Sequence, residues 1–168
     1  MLALQFNMTT NIILADLSHP DYAQIIIDLL DEYAQDPMGG GAPLSAYVRR
    51  HLVAQLASRQ GVYVILAMQD DETAGMAICM EGFSTFACKP LLNIHDVIVR
   101  SKYRGRGIAK QLLAKAEEIA VATDCCKLTL EVLTGNIAAQ SVYKACGFTG
   151  YELNPSIGQA MFWQKKLG

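Results

Sequence analysis

The stretch from Asn93 to Ala120 constrains this chain more than any other. It opens with an apolar, β-branched run, Ile94 to Val99, of the length and type of a buried strand. It closes with Ile108, Leu112, Ala116 and Ile119/Ala120, the spacing of one helix face. Between the two sits Lys102-Tyr103-Arg104-Gly105-Arg106-Gly107-Ile108-Ala109. The pattern is therefore strand, basic glycine turn, helix. Glycines let backbone N–H groups come close to a ligand, and a helix N-terminus offers unpaired donors with a dipole that favours anions. No acid occurs between Asp96 and Glu117, while Arg100, Lys102, Arg104, Arg106, Lys110 and Lys115 fall in that interval. The turn reads as an anion site, and a phosphate suits it best.

Two other phosphate-binding patterns fail here. A Rossmann fingerprint needs a third glycine where Lys110 stands, and a P-loop needs a Gly-Lys-Ser/Thr run that is absent. The bland alternative is a plain strand-to-helix connection with solvated arginines.

A length of 168 residues suits one domain, residues 1–168, able to bury about two-thirds of its unfolded surface. A hydrophobic share of 52% and a charged share of 18% are those of a packed globular protein. Net charge is −2, so no global field attracts nucleic acid or an anionic membrane. Cys79, Cys88, Cys125, Cys126 and Cys146 are odd in number and lack Cys-x-x-Cys spacing. Reduced, mostly buried thiols are expected rather than a disulfide framework or a metal site. Nothing reads as a membrane span or a signal peptide, so a soluble cytoplasmic protein is the default expectation.

Residues 1–10 read as an irregular leader, with Met8 a plausible alternative start. Asn11 to Leu17 is expected as a first strand. His19-Pro20 then opens a helix carrying Ile25, Ile26, Leu29 and Leu30 on one face, with His19 as cap or surface residue. Glu32 to Pro43, with three glycines between two prolines, ends that helix as a loop before a second helix, Leu44 to Ser58. That loop is either a connector or a mobile lid carrying Tyr33 and Asp36 over a substrate. Val62–Met68 and Ala74–Glu81 read as a hairpin. Phe83 and Phe86 suit the core better than a substrate platform, with both readings open. Lys127 to Leu133 alternates as a strand, and Ile137 to Cys146 as a helix closed by Gly147. Tyr151 and the run from Ala160 to Gln164 supply the last strands.

Two motifs together resemble one family. Arg104-Gly105-Arg106-Gly107-Ile108-Ala109 fits the Arg/Gln-x-x-Gly-x-Gly/Ala signature of the GNAT superfamily of acetyl-CoA-dependent N-acetyltransferases. Asn136-x-x-Ala139-x-x-x-Tyr143-x-x-x-Gly147-Phe148 resembles that family's Asn…Ala…Tyr…Gly-Phe element. The resemblance implies an α/β (α+β) fold with a mixed, mostly antiparallel sheet of six to seven strands and helices on both faces. It implies acetyl-CoA as co-substrate without a metal, its pyrophosphate held by Arg104 to Lys110. It also implies a pantetheine arm along Val97, Ile98 and Val99, with Asn136 and Ala139 lining the same arm. The implied general acid is Tyr143. Within the superfamily, the run from Ser84 to Val99 looks most like the diamine and polyamine acetyltransferases, which carry Glu-Asp where this chain has His95-Asp96.

The resulting expectation is transfer of an acetyl group to a primary amine of a small molecule by direct attack. The alternatives are a peptide or protein N-acetyltransferase and a non-catalytic CoA-binding module. Tyr143 is expected to protonate the departing thiolate, since a phenol is protonated at neutral pH. His95 can take the amine's proton, or simply be a histidine bonded to a neighbour. On a regular strand His95 and Asp96 face opposite sides. Tyr33, Asp36, Asn93 and Asp96 are expected to line the acceptor site. The resembled family also admits a homodimer.

Overall fold

A computed structural model describes residues 9–167. The leader at residues 1–8, with the alternative start at Met8, lies outside the described residues; Thr9 and Thr10 have no regular structure. The described residues form two compact units, one ending at Leu130 and one beginning at Glu131. The first unit contains β1 (Asn11–Leu14), α1 (Pro20–Gln35), α2 (Ala46–Ala57), β2 (Val62–Gln69), β3 (Glu72–Ser84) and β4 (Lys89–Val99). A 3-10 turn (Ser101–Tyr103), α3 (Ile108–Ala122) and β5 (Leu128–Leu130) complete it. The second unit contains α4 (Ile137–Ala145).

The five strands lie in one sheet in the order β1-β2-β3-β4-β5. Its first three pairings are antiparallel, and only β4 with β5 is parallel. The sheet is mixed and mostly antiparallel, as expected, with five strands among the described residues rather than six or seven. At Tyr151 and at Ala160–Gln164 there is one antiparallel bridge, Glu152 with Gln159, instead of two strands. A strand needs a ladder of successive bonds, and that pairing is a single bridge long. β1 is likewise shorter than expected, because the Asp16 carboxylate takes the Ser18 N–H and turns the chain.

Strand alternation sorts the core into two layers. Val64, Leu66, Met76, Ile78 and Ile98 face one side and pack with Ile26, Leu29 and Leu30 of α1 and Leu56 of α2. His19 caps α1, its Nδ1 accepting the Asp21 N–H at 3.3 Å. α3 covers the other face with Ile108, Leu112, Leu113, Ala116 and Ala120 buried. Gly75 of β3 lies directly under it, where a Cβ would stand 3.4 Å from both Ile108 and Leu112. Helices therefore lie on both faces of the sheet.

Two expectations about individual side chains fail. Phe83 and Phe86 are exposed, because the β3–β4 hairpin runs on past the helices and carries both to its tip. Among the cysteines only Cys79 is buried, and burial pushes its thiol up to about 12. Cys88 lies in the hairpin turn and Cys126 just before β5, both exposed. Among the described residues no helix is long and apolar enough to cross a membrane.

Gly75 is where the sheet has no room for a side chain. A Cβ there would meet the Ile98 carbonyl oxygen at 2.6 Å. Gly75→Ala should lower stability by about 1–3 kcal/mol, read from the urea midpoint. A shift under about 0.5 kcal/mol, the usual scale of a neutral surface change, would contradict this packing.

Candidate active site

The basic turn after β4 is held from beneath and open above. Tyr103 is buried and donates its hydroxyl to Glu72 Oε2 at 2.8 Å, while Lys102 pairs with the same carboxylate. Arg106 lies over the Tyr103 ring, 5.4 Å from its centroid. Arg100 bonds Glu32 at 3.0 Å. Arg104 donates Nε to the Val99 carbonyl at 3.0 Å and Nη2 to Asp36 at 3.2 Å. The Ile108 side chain plugs into the core and fixes the start of α3.

What this scaffold presents is backbone. Gly105 and Gly107 have φ of 77° and 78°, a conformation open to glycine at little cost. Gly107 is the N-cap of α3, and no side chain caps the helix. The first backbone bond into α3 is Gln111 N–H to Gly107 O. The N–H groups from Gly105 to Lys110 therefore have no acceptor among the described residues. Such a row, at the positive end of a helix dipole, is an anion cradle.

β4 leads into this turn with one edge bare. It pairs with β5 at Leu92, Asn93 and Ile94, opposite Leu128, Thr129 and Leu130. β5 ends there, so among the described residues no strand flanks Val97, Ile98 and Val99 on that side. Asn93 Nδ2 donates to Thr129 Oγ1 at 3.1 Å, tying the two strands just before the pairing stops.

β4 is not a regular strand. Asp96 stands opposite Ile78 and Ile94 opposite Cys79, so His95 is an extra residue in a bulge. The strict alternation expected for His95 and Asp96 does not hold. Asn93, paired with Met80, and Asp96, paired with Ile78, come to the same face of the sheet, the α1 face. His95 is exposed. Asp96 is half-buried, and burial raises its pKa, opposed by the charge of His95. Tyr33, near the end of α1, has its phenol pushed up first by burial and then by the Asp96 and Asp36 carboxylates. Asp36 is held low by the Met38 N–H and by Arg104. Tyr33, Asp36, Asp96 and Arg104 thus gather around one end of β4.

The second unit explains the other motif by helix capping. Asn136 Oδ1 accepts the Ala139 N–H at 3.1 Å and so caps α4. At the far end Gly147 has φ 87°. Phe148 N–H bonds Tyr143 O at 3.0 Å and Gly147 N–H bonds Lys144 O at 3.1 Å. These are the two bonds of a Schellman motif, and the Tyr143 and Phe148 rings supply its apolar contact at 6.1 Å. The spacing of Asn, Ala, Tyr and Gly-Phe is thus also the spacing of a short helix with both ends closed.

Sequence reasoning missed Glu32, Thr129 and the bond from Arg104 to the Val99 carbonyl. Glu32 and Asp36, one turn apart at the end of α1, face a turn rich in arginine, and that complementary spacing was the available signal. Thr129 becomes visible only once the parallel register is known.

The chain belongs to the GNAT acetyltransferase family, whose model, described as the acetyltransferase (GNAT) family, matches residues 26–148. It is 31% identical over 96 residues to a thialysine N-epsilon-acetyltransferase of Bos taurus, covering 57% of this chain and 53% of that one. It is 30% identical over 82 residues to a streptothricin acetyltransferase of Escherichia coli, covering 44% and 47%. The chain thus spans about half the length of these curated relatives. Among solved structures, an aminoglycoside N-acetyltransferase in complex with CoA superposes with a TM-score of 0.72 at 17% identity, covering 98% and 100%. An integron cassette protein from V. cholerae gives 0.75 at 23%, covering 95% and 94%. These structures share the fold.

The half-buried Asp96 carries a stability signature. An aspartate whose pKa is raised by the fold weakens folding as pH rises through that pKa; below the ordinary carboxylate range the penalty is gone. Asp96→Asn should therefore stabilise the protein at about pH 7 and give little gain at about pH 3, read by urea denaturation. An equal gain at both pH values would mean that charge burial is not the cause.

Proposed function

We propose that this chain is an N-acetyltransferase that moves the acetyl group of acetyl-CoA to a primary amine of a small molecule. The observation that carries the reading is the uncapped N–H row from Gly105 to Lys110, set at the end of a β4 edge that no strand among the described residues covers. A pyrophosphate fits those donors, with Arg104, Arg106 and Lys110 beside it. The bare edge at Val97 to Val99 suits an amide-containing arm, whose groups would replace the missing strand.

The chemistry assigns work to the protein's own groups. The amine nitrogen attacks the thioester carbonyl; a C–N bond forms and the C–S bond breaks. Backbone N–H on the open β4 edge would stabilise the carbonyl oxygen as charge develops. Tyr143 would give its proton to the departing sulfur, and His95, directly or through water, would take the proton lost by the amine. Acetyl-CoA, as co-substrate, supplies the activated acyl group. The acceptor would lie beside Tyr33, Asp36, Asn93 and Asp96. Two relatives named for small molecules, thialysine and streptothricin, support an acceptor of that size. His95 in place of the glutamate of the diamine and polyamine enzymes favours a monoamine or amino acid over a long polycation.

An amine library assayed by release of free CoA thiol tests the activity. Small primary amines should raise thiol release above hydrolysis, whereas turnover of peptides alone would move the acceptor class. Arg104→Ala should weaken CoA binding by about 1.5–3 kcal/mol by calorimetry. Tyr143→Phe should keep the fold and CoA affinity and lower kcat about 100-fold. Unchanged turnover in that variant would remove Tyr143 from the reaction.

A further inference from the structure

We propose that Asp36 and the cofactor's pyrophosphate compete for Arg104, so that each ligand of the site releases the partner the other one needs. The inference rests on the acetyl-CoA reading above and adds a coupling between the two halves of the site. Arg104 is held at two points, Nε on the Val99 carbonyl and Nη2 on the Asp36 carboxylate. The first fixes its stem; the second occupies one terminal nitrogen of the guanidinium. Asp36 is itself the hub of the loop after α1. Its Oδ1 accepts the Met38 N–H at 2.9 Å, and its carbonyl accepts from Gly39 at 2.8 Å and Gly41 at 3.2 Å.

The flanks of that loop are anchored elsewhere. Glu32 holds Arg100, and Asp31 accepts the Leu44 N–H at 2.8 Å and pairs with Arg49. Losing the Arg104 contact would leave these anchors in place, together with the Ala42 N–H bond to the Ala34 carbonyl, and would free only the Asp36 oxygen that faces Arg104. The Arg104 side chain is 60% exposed, and exposed ion pairs contribute about two- to fivefold in an equilibrium constant. A pyrophosphate, with more charge and the adjoining N–H row, outbids one carboxylate for the arginine. The released Asp36 then stands near Tyr33, able to receive an ammonium group. An amine arriving first would free Arg104 in the same way, and linkage makes the coupling reciprocal.

The test is calorimetry with CoA on the wild type, Asp36→Asn, Arg104→Ala and the double variant. Asparagine keeps an oxygen for the Met38 N–H, so the turn survives. Asp36→Asn should bind CoA about two- to fivefold more tightly, and the gain should vanish in the Arg104→Ala background. Equal or weaker CoA affinity in Asp36→Asn, or a gain that persists in the Arg104→Ala background, would overturn the competition alone. A wild type with no CoA affinity would overturn the acetyl-CoA reading and this inference with it.

Discussion

β4 pairs with β5 only from Leu92 to Ile94 and then runs on to Val99 with no further strand on that edge among the described residues, and the arrangement of the site depends on this early parting. An unpaired strand edge in the middle of a sheet leaves backbone donors and acceptors unsatisfied, which proteins seldom tolerate without a partner. Here the strand is kept in place by its other edge and its two faces. Ile98 is buried against the α1 side, and Ile94 lies on the opposite face, the side covered by α3. The Asn93–Thr129 bond ties the strands where the pairing ends. The bulge at His95 shifts the strand's phase, so that Asn93 and Asp96 reach one face while the core pattern is kept on both sides.

The basic turn then follows from the same strand. The Val99 carbonyl accepts the Arg104 Nε–H, and Arg100 gives its N–H to the Ala74 carbonyl on β3. Both contacts lock the path of the chain as it leaves the sheet. Ile108 and Leu112, packed over Gly75, fix where α3 begins. The helix N-terminus is consequently rigid yet uncapped, a combination that stores binding capacity for an anion. The acids at the end of α1 answer the arginines and hold the turn's charge in balance.

Much of this was legible in the sequence. The strand, glycine turn and helix from Ile94 to Ala120, the N-terminal helices and the β2–β3 hairpin follow from periodicity and turn chemistry. The two motifs carried the family. What was not legible depends on contacts distant in sequence. The His95 bulge is visible only as an offset between β3 and β4. The pairing of Arg104 with Asp36 joins residues from different elements, and no local pattern assigns an arginine its carboxylate. The exposure of Phe83 and Phe86 depends on how far a hairpin outruns its helices. The family resemblance assigns Asn136 to the cofactor arm, and its amide oxygen caps α4; a single residue can satisfy either demand by the same spacing.

The central claim is that the row of free N–H groups at the start of α3 and the bare edge of β4 form one cofactor-binding surface. The most direct measurement is a titration of CoA into isotope-labelled protein, following backbone amide resonances. The account predicts the largest shifts at Gly105 to Lys110 and at Val97 to Val99, saturating together with one affinity. Shifts confined to other segments, or two sets of amides saturating with different affinities, would contradict it.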